Sequence, residues 1–312
     1  MQKSSSSASS AHNPAETRHS RRVARRGAYI LPSLFTMANV FCGYYALTEV
    51  ARAGHLFVSD LGLAAVHFDH AAKAIGFAVL FDGLDGRIAR LMGTTSPFGK
   101  ELDSLADTIT FGIAPAFLAF SWGVHAAMGV SLGAEPSPLE SAAWVVTFLY
   151  VICSASRLAR FNIQSNPLTT RPERLEHSSF VGLPTPAAAG LVASIVHFNY
   201  GFPMGDWRWV PFWLVLLLAT SALMVSTWRY HSFKDLDFRR RRRFVMVILM
   251  GTLFGLIWFY SHVVLLLLAS AYWLSGILAK LLQARRRRQP GAREGISGEQ
   301  HSREHNPREH HA

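Results

Sequence analysis

Four aspartates lie close together in an otherwise strongly apolar part of the chain: Asp82, Asp85, Asp103 and Asp107. The first two are three positions apart and the last two are four positions apart, so each pair shares one face of a helix. Because a charged side chain at membrane depth costs at least about 2.5 kcal/mol, such residues are rare there and are usually functional. Carboxylate oxygens are hard ligands, and two pairs of them on adjacent helices predict a divalent-metal site of the kind that serves phosphate chemistry.

The segment between the two pairs, residues 93–99, is predicted to be a turn. Its sequence, GTTSPFG, is rich in residues that end helices. Such a short link makes the flanking helices antiparallel neighbours and brings both aspartate pairs to one depth. Four carboxylates at close range repel one another unless cations lie between them, so we expect a cluster of two metal ions. A role as a helix cap is reasonable for Asp103 after the turn, but it does not account for all four residues.

The spacing of the fixed residues is more specific than their composition. Between Asp82 and Asp107 the chain reads D-x2-D-G-x2-A-R-x8-G-x3-D-x3-D. At every fixed position this pattern resembles the signature of the CDP-alcohol phosphatidyltransferases, integral membrane enzymes that move a phosphate-linked alcohol from a CDP carrier to a hydroxyl acceptor. The resemblance implies a cofactor of Mg²⁺ or Mn²⁺, with two ions expected. It also implies that Asp82, Asp85 and Asp103 are metal ligands and that Asp107 both lies near the metals and acts as general base.

Small and polar residues around the aspartates are candidates for binding the CDP-linked donor. Gly86 and Ala89 would let a flat base or ribose approach the backbone, although small residues at this spacing also serve tight helix packing in membranes. Arg90 is placed to hold a phosphate or to extend toward the membrane surface. Gly99 belongs to the same motif, and Asn39 on the first apolar stretch could contact cytidine or serine, or bond a neighbouring helix.

Composition and hydropathy predict an all-α, polytopic membrane bundle. The chain has 312 residues, of which 50% are hydrophobic and only 16% are charged. Stretches of about 20 apolar residues, enough to cross a bilayer, recur along it. We place eight of them, at 29–50, 68–91, 102–124, 141–163, 184–203, 209–228, 244–261 and 262–282. The last two are separated only by Ser261-His262 and are interpreted as a tight hairpin, with a single re-entrant unit as the alternative.

The distribution of positive charge predicts the orientation of the bundle. If the chain starts on the inside and crosses eight times, every cluster of Lys and Arg lies on the cytoplasmic side, as do both termini. The net charge of +11 is explained by these clusters and by anionic lipids, and no nucleic-acid partner is expected. Residues 1–27 and 284–312 lack hydrophobic periodicity and are expected to be disordered tails around a transmembrane domain at 28–283.

Three further segments narrow the acceptor. Residues 30–47, 154–162 and 180–190 resemble the serine-using bacterial branch of the family, the CDP-diacylglycerol–serine O-phosphatidyltransferases. This resemblance implies CDP-diacylglycerol and L-serine as substrates, a homodimer and a bacterial plasma membrane. Arg157, Arg160 and Asn162 end an apolar stretch and are candidates for binding the acceptor, since a guanidinium suits the carboxylate of an amino acid. The positive-inside pattern explains both arginines as well.

Three alternatives remain at this point. The same chemistry could use another acceptor, such as glycerol 3-phosphate, an inositol derivative or choline. A prenyl-diphosphate enzyme also binds pyrophosphate through metals and aspartates, but it usually carries two separated acidic motifs. A transporter of divalent cations would be expected to distribute acids over several spans, whereas the apolar stretches after Glu140 contain none.

Overall fold

The computed structural model describes residues 14–92, 97–126, 137–165, 182–226 and 243–287. Within these ranges every regular element is helical and there is no strand, which confirms the prediction of an all-α protein. The α-helices are α1 (Pro14–Leu56), α2 (Leu61–Met92), α3 (Pro97–Asp107), α4 (Ala114–Phe120), α5 (Pro138–Ser165), α6 (Thr185–Phe198), α7 (Val210–Val225) and α8 (Arg243–Arg287).

Helices α1 and α2 form the most extensive pairing in the described part of the chain. The link between them is short, and Asp60 caps the start of α2 by accepting a hydrogen bond from the backbone N–H of Leu63 at 2.9 Å. Their buried faces are rich in alanine, which lets the two helices approach closely, as small residues do in membranes. The close packing of α1 against α2 therefore fixes the positions of the side chains at both ends of the pair.

The third apolar stretch is helical without interruption from Pro97 to His125, but it is not α-helical throughout. A π-helical turn, Thr108–Ile113, separates α3 from α4, and a second one, Ser121–His125, follows α4. Such turns are rare and often lie at functional sites, because the wider turn changes which residues share a face. The first begins directly after Asp107.

Glycines and tryptophans fix the packing around this stretch. A Cβ on Gly123 would lie 2.2 Å from Nε1 of Trp213 on α7, so only glycine lets that ring pack here. The same ring donates from Nε1 to the carbonyl of Ala119 at 3.0 Å. Trp122 in turn donates to the carbonyl of Gly201 at 3.1 Å, beyond the end of α6. These bonds satisfy both indole N–H groups inside the apolar core.

Five helical segments are long and apolar enough to cross a membrane: Leu61–Leu84, Phe98–His125, Pro138–Ile163, Trp207–Val225 and Gly255–Leu278. The shorter helix Thr185–Phe198 is also apolar. Each of the eight predicted spans is largely helical where the structure describes it, although α6 ends at Phe198, before the predicted limit of 203. The long apolar helices show a membrane-embedded protein. The number of crossings and the cytoplasmic location of the termini stay predictions.

Two features of the helices differ in detail from what the sequence predicts: the start of α1 and the connection between the last two predicted spans. Helix α1 begins at Pro14, inside the stretch 1–27 that was assigned to a tail, and the domain limits stay predictions. Helix α8 carries the last two predicted spans as one helical element, broken only at Tyr260, where φ is −132° and ψ is 39°. The break lies next to the Ser261-His262 pair at which the turn was predicted.

Candidate active site

Three of the four aspartates come together where α2 and α3 meet. Asp82 on α2 and Asp103 and Asp107 on α3 each offer one carboxylate oxygen, and these oxygens lie within 4.8 Å of one another. Asp107 is buried, whereas Asp82 and Asp103 are half-buried. Carboxylate oxygens are the ligands that Mg²⁺, Mn²⁺ and Ca²⁺ prefer, and these three are close enough to bind the same ion. The donor set therefore fits a divalent cation.

The fourth aspartate lies on the same helix as the first. Asp85 belongs to α2, one turn beyond Asp82, but its side chain lies outside the described part of the structure. The same holds for Gly86, Ala89 and Arg90, whose backbones continue α2. Gly99 lies in the first turn of α3 and is half-buried, four residues before Asp103. The donor-binding roles of these residues stay predictions.

Asn39 on α1 holds the buried aspartate in place. Its Nδ2 donates a hydrogen bond to Oδ1 of Asp107 at 3.0 Å, and its side chain is 1% exposed. Its backbone carbonyl accepts a hydrogen bond from Oγ1 of Thr110 at 3.1 Å. Asn39 is thus bonded to Asp107, directly before the π-helical turn, and to Thr110 within it. Its own Oδ1 is buried without a hydrogen-bond partner among the described residues, so it keeps the capacity to accept from a ligand.

The approach of α1 to this turn depends on a glycine. A Cβ on Gly43 would lie 2.5 Å from Oγ1 and 3.0 Å from Cα of Thr110, closer than side chains normally pack. Gly43 therefore sets the distance at which Asn39, one turn earlier, can reach Asp107. Sequence reasoning identified Asn39 but not Gly43 or Thr110, because a lone glycine and a lone threonine in apolar helices carry no signal until the partner helix is known.

The end of α5 forms the next wall of the site. Asn162 donates from Nδ2 to Oγ of Ser104 at 2.8 Å, so it contacts the residue after Asp103. Arg157 lies within electrostatic range of Asp82 and Asp107. Its Nε is buried and has no hydrogen-bond partner in the described ranges. Two of the predicted acceptor residues thus lie beside the aspartates.

The third predicted acceptor residue makes a different contact. Nη1 of Arg160 donates to the carbonyl of Val225 at 3.1 Å, at the carboxyl end of α7. A cation at that position satisfies an orphan carbonyl and complements the helix dipole. This contact gives Arg160 a structural task, joining α5 to α7.

A tyrosine that sequence reasoning missed also borders the site. Tyr272 on α8 is half-buried and lies within electrostatic range of Arg157. Its neighbour Trp273 donates from Nε1 to Oγ1 of Thr220 at 3.2 Å, which ties this part of α8 to α7. One aromatic among the many apolar residues of α8 gives no indication in the sequence that it would lie within electrostatic range of Arg157.

The fold and the site together define a class of protein. It is a membrane-embedded helical protein in which α1, α2, α3 and α5 surround a carboxylate cluster suited to a divalent cation and to phosphate groups. The family model described as CDP-alcohol phosphatidyltransferase matches residues 29–204. The chain belongs to this family, and the match includes every aspartate of the cluster.

Curated relatives of known name are similar over most of the chain. A CDP-diacylglycerol–serine O-phosphatidyltransferase of Helicobacter pylori (strain 26695) is 33% identical over 226 residues, which cover 72% of this chain and 82% of the relative. The enzyme of that name from Mycobacterium tuberculosis (strain H37Rv) is 35% identical over 209 residues, covering 65% and 62%. That of Bacillus subtilis (strain 168) is 29% identical over 206 residues, covering 65% and 91%.

Proposed function

We propose that this protein transfers the phosphatidyl group of CDP-diacylglycerol to L-serine, giving phosphatidylserine and CMP. The single observation that carries the proposal is the convergence of Asp82, Asp103 and Asp107 beside Asn39 and Arg157. Membership of the family supports the reaction type. The relatives described above bear the name of the serine-using enzyme, and this supports the acceptor.

Asp82, Asp85, Asp103 and Asp107 would hold the metal, with Mg²⁺ or Mn²⁺ as the ion and two ions per site. A metal bound there would supply positive charge for the pyrophosphate oxygens and for the departing phosphate. The carboxylates present the hard oxygen ligands that these ions require. Arg90, Gly86, Ala89 and Gly99 extend the site along α2 and α3, and they are assigned to the CDP part of the donor.

Asp107 is assigned as the general base. Its carboxylate accepts the proton of the serine hydroxyl while the serine oxygen attacks the phosphorus atom that carries the lipid. The new phosphorus–oxygen bond forms as the bond to the bridging oxygen of CMP breaks, in line with it, and CMP leaves with that electron pair. Asn39 orients Asp107 through its 3.0 Å hydrogen bond to Oδ1.

Arg157 is assigned to the carboxylate of the acceptor. It is the cation on α5 that lies near Asp82 and Asp107, and its buried Nε keeps a donor for a ligand. Serine carries a carboxylate, which a guanidinium can bind with two parallel hydrogen bonds. Asn162, fixed by Ser104, is placed to contact the polar end of the acceptor. Arg160 is assigned a smaller role in binding the acceptor, because its guanidinium donates a hydrogen bond to the carbonyl of Val225 at the end of α7.

The cellular location and the oligomeric state are also proposed from membership of the family. We assign the protein to a bacterial plasma membrane, where the lipid part of the donor would lie between helices and the water-soluble serine would enter from the cytoplasm. A homodimer is part of the same proposal.

The test is the release of CMP from CDP-diacylglycerol by the purified full-length protein with Mg²⁺ or Mn²⁺, measured with and without L-serine. We expect release that requires serine, and a loss of about 10²- to 10⁴-fold in kcat for Asp107→Asn, the usual contribution of a general base. Asp60→Asn is the matched control, because Asp60 only caps α2 and asparagine caps equally well.

Other results would change the proposal in distinct ways. Release that requires glycerol 3-phosphate, inositol phosphate or choline would keep the chemistry and replace the acceptor. An Asp107→Asn variant with full activity would remove Asp107 from the role of base. Absence of CMP with any acceptor, from protein that melts cooperatively, would overturn the proposed activity.

A further inference from the structure

A second group of potential metal ligands lies at the other end of α1 and α2. It consists of Glu49 near the end of α1 and of His67 and His70 near the start of α2, and their ligand atoms all lie within 4.8 Å of one another. Fifteen residues of α2 separate His67 from Asp82, which at about 1.5 Å per residue amounts to about 22 Å. The group is therefore separate from the aspartate cluster and has no part in the proposed reaction.

The geometry of this group centres on one oxygen. Oε2 of Glu49 lies 2.7 Å from Nδ1 of His67 and 3.6 Å from Nδ1 of His70. Two ligand atoms of one tetrahedral Zn²⁺, each about 2.0–2.1 Å from the ion, lie about 3.3 Å apart. The contact of His70 is too long for a hydrogen bond but suits a shared ion. The contact of His67 would lengthen by about 0.6 Å, which is within reach of a side-chain rotation.

The positions of His67 and His70 on α2 suit the binding of one metal ion by both side chains. They are three positions apart on α2, so their rings lie one above the other on the face toward Glu49. The two rings are nearly perpendicular, at 87°, with their centroids 6.4 Å apart, so they do not stack on each other. His70 contributes no hydrogen bond to Glu49, and a bound cation is what would give both Nδ1 atoms the same partner.

The surroundings of the buried carboxylate orient it toward the two histidines. Glu49 is 1% exposed, and Nη1 of Arg52 holds its other oxygen, Oε1, at 2.9 Å. Arg52 thus orients the carboxylate in the way that a hydrogen-bonding neighbour orients a metal ligand, and its side chain is 64% exposed, so solvent screens its charge. The imidazole of His70 is 45% exposed, which opens a path for an ion and a position for a fourth ligand such as water.

The neighbouring polar network does not compete for the ion. Nδ1 of His197 lies 2.5 Å from Oδ1 of Asp69, and its Nε2 lies 3.0 Å from Oγ of Ser261. Lys73 holds the other oxygen of Asp69 at 2.7 Å. Both ring nitrogens of His197 are therefore engaged, and this network ties α2 to α6 and α8.

We infer that Glu49, His67 and His70 form a binding site for a transition-metal ion of the Zn²⁺ type. An ion bound there joins α1 to α2 at the end of the two helices that is remote from the aspartates. Two imidazoles and one carboxylate with an open fourth position are a ligand set for Zn²⁺, Co²⁺ or Ni²⁺, whereas an all-carboxylate set suits Mg²⁺ or Mn²⁺. The two sites of the protein thus select different metals.

The test uses zinc itself on the purified full-length protein. The four histidines of the carboxyl-terminal stretch, His301, His305, His310 and His311, are changed to glutamine in every sample so that they do not bind zinc. The protein is stripped with a chelator, saturated with Mg²⁺ to occupy the carboxylate site, and titrated with Zn²⁺. We expect one zinc per chain by elemental analysis and a rise of several degrees in Tm, because a ligand that binds the folded state stabilises it.

His70→Gln is the decisive variant. It leaves the 2.7 Å contact of Glu49 with His67 intact and removes only a group that the metal needs. We expect its zinc affinity to fall by at least about 100-fold, as loss of a direct ligand exceeds the usual loss for an outer partner. His55→Gln is the control, since His55 is exposed at the end of α1 and belongs to no such group among the residues that the structure describes.

Two further readouts complete the test. Co²⁺ in place of Zn²⁺ should give the visible absorption of a tetrahedral site in the background protein and in His55→Gln, but not in His70→Gln or His67→Gln. The Tm of His70→Gln without zinc should equal that of the background protein, which shows that the variant is folded. Equal zinc content and equal Tm shifts in His70→Gln and the background protein would overturn the inference, as would an equal loss of zinc binding in His55→Gln.

Discussion

At the scale of single residues, the candidate site depends on how a buried carboxylate is held. Asp107 lies at the last position of α3 and is fixed by Asn39 from another helix. A base must point a carboxylate oxygen at the hydroxyl it deprotonates, and a displacement of about 1 Å can cost 10²-fold in rate. The hydrogen bond from Asn39 is therefore expected to contribute to catalysis without Asn39 carrying a proton.

Asn39→Ala tests this expectation. The substitution removes the 3.0 Å bond to Asp107 but keeps the backbone carbonyl that accepts from Thr110. A hydrogen bond to a charged group contributes about 1.5–3 kcal/mol, so kcat should fall by about 10- to 100-fold. Ser194→Ala is a control from a buried site, because the Ser194 hydroxyl donates to the carbonyl of Leu191 within its own helix. Unchanged kcat in Asn39→Ala would separate Asn39 from the action of Asp107.

The two arginines of α5 should separate in the same kind of measurement. Arg157 lies within electrostatic range of Asp82 and Asp107, whereas Arg160 donates to the carbonyl of Val225 at 3.1 Å. Arg157→Lys keeps the charge but loses paired hydrogen bonding, so we expect the KM for serine to rise about tenfold or more. Arg160→Met should lower Tm and leave the KM for serine within about twofold of the wild type, because it loses a helix cap of about 1 kcal/mol. The reverse pattern would exchange the two roles.

At the scale of elements, the close approach of α1 to the π-helical turn is the feature that assembles the site. Gly43 on α1 faces Thr110, and no larger residue fits without a shift of the turn. Because the turn begins directly after Asp107, any such shift is transmitted to the carboxylate. Helix packing and site geometry are thus coupled at one glycine.

A pair of glycines on the same helix tests this coupling. Gly43→Ala would place a Cβ 2.5 Å from Oγ1 of Thr110, and we expect a loss of about 1–3 kcal/mol in the free energy of unfolding together with a loss of activity. Gly54→Ala meets nothing within 4 Å and should be neutral or stabilising by up to about 1 kcal/mol. Thermal unfolding in detergent and CMP release measure both effects. Equal behaviour of the two variants would mean that α1 and the turn adjust independently.

The elements and the ligands were predictable from sequence to different degrees. The helical fold follows from apolar stretches of bilayer length, and the cluster of aspartates follows from charges that are too costly to be incidental at membrane depth. The π-helical turn after Asp107 and the partner of Gly43 were not predictable, because neither leaves a periodic pattern in its own segment. The site at Glu49, His67 and His70 was also missed, since its members lie on two helices whose register only the structure gives.

At the scale of the whole molecule, the two groups of potential metal ligands lie at opposite ends of the α1–α2 pair. The aspartate cluster and the basic residues Arg157, Arg160 and Lys100 share one end, and Glu49, His67 and His70 mark the other. Positive charge accompanies the cytoplasmic ends of spans. The aspartate end is therefore expected to face the cytoplasm, where serine is available, and the histidine end is expected to face the opposite side of the membrane.

Labelling of single cysteines tests this orientation of the molecule. In a background with Cys42 and Cys153 replaced by alanine, Ser59→Cys lies exposed in the link between α1 and α2, and Lys100→Cys lies exposed at the start of α3. A maleimide that does not cross membranes should label Ser59→Cys in cells whose plasma membrane is intact, and Lys100→Cys only after permeabilisation. The opposite labelling pattern would mean that the bundle has the opposite orientation in the membrane. The aspartates would then face away from the cytoplasmic serine, and the proposed reaction would require another acceptor or another route of supply.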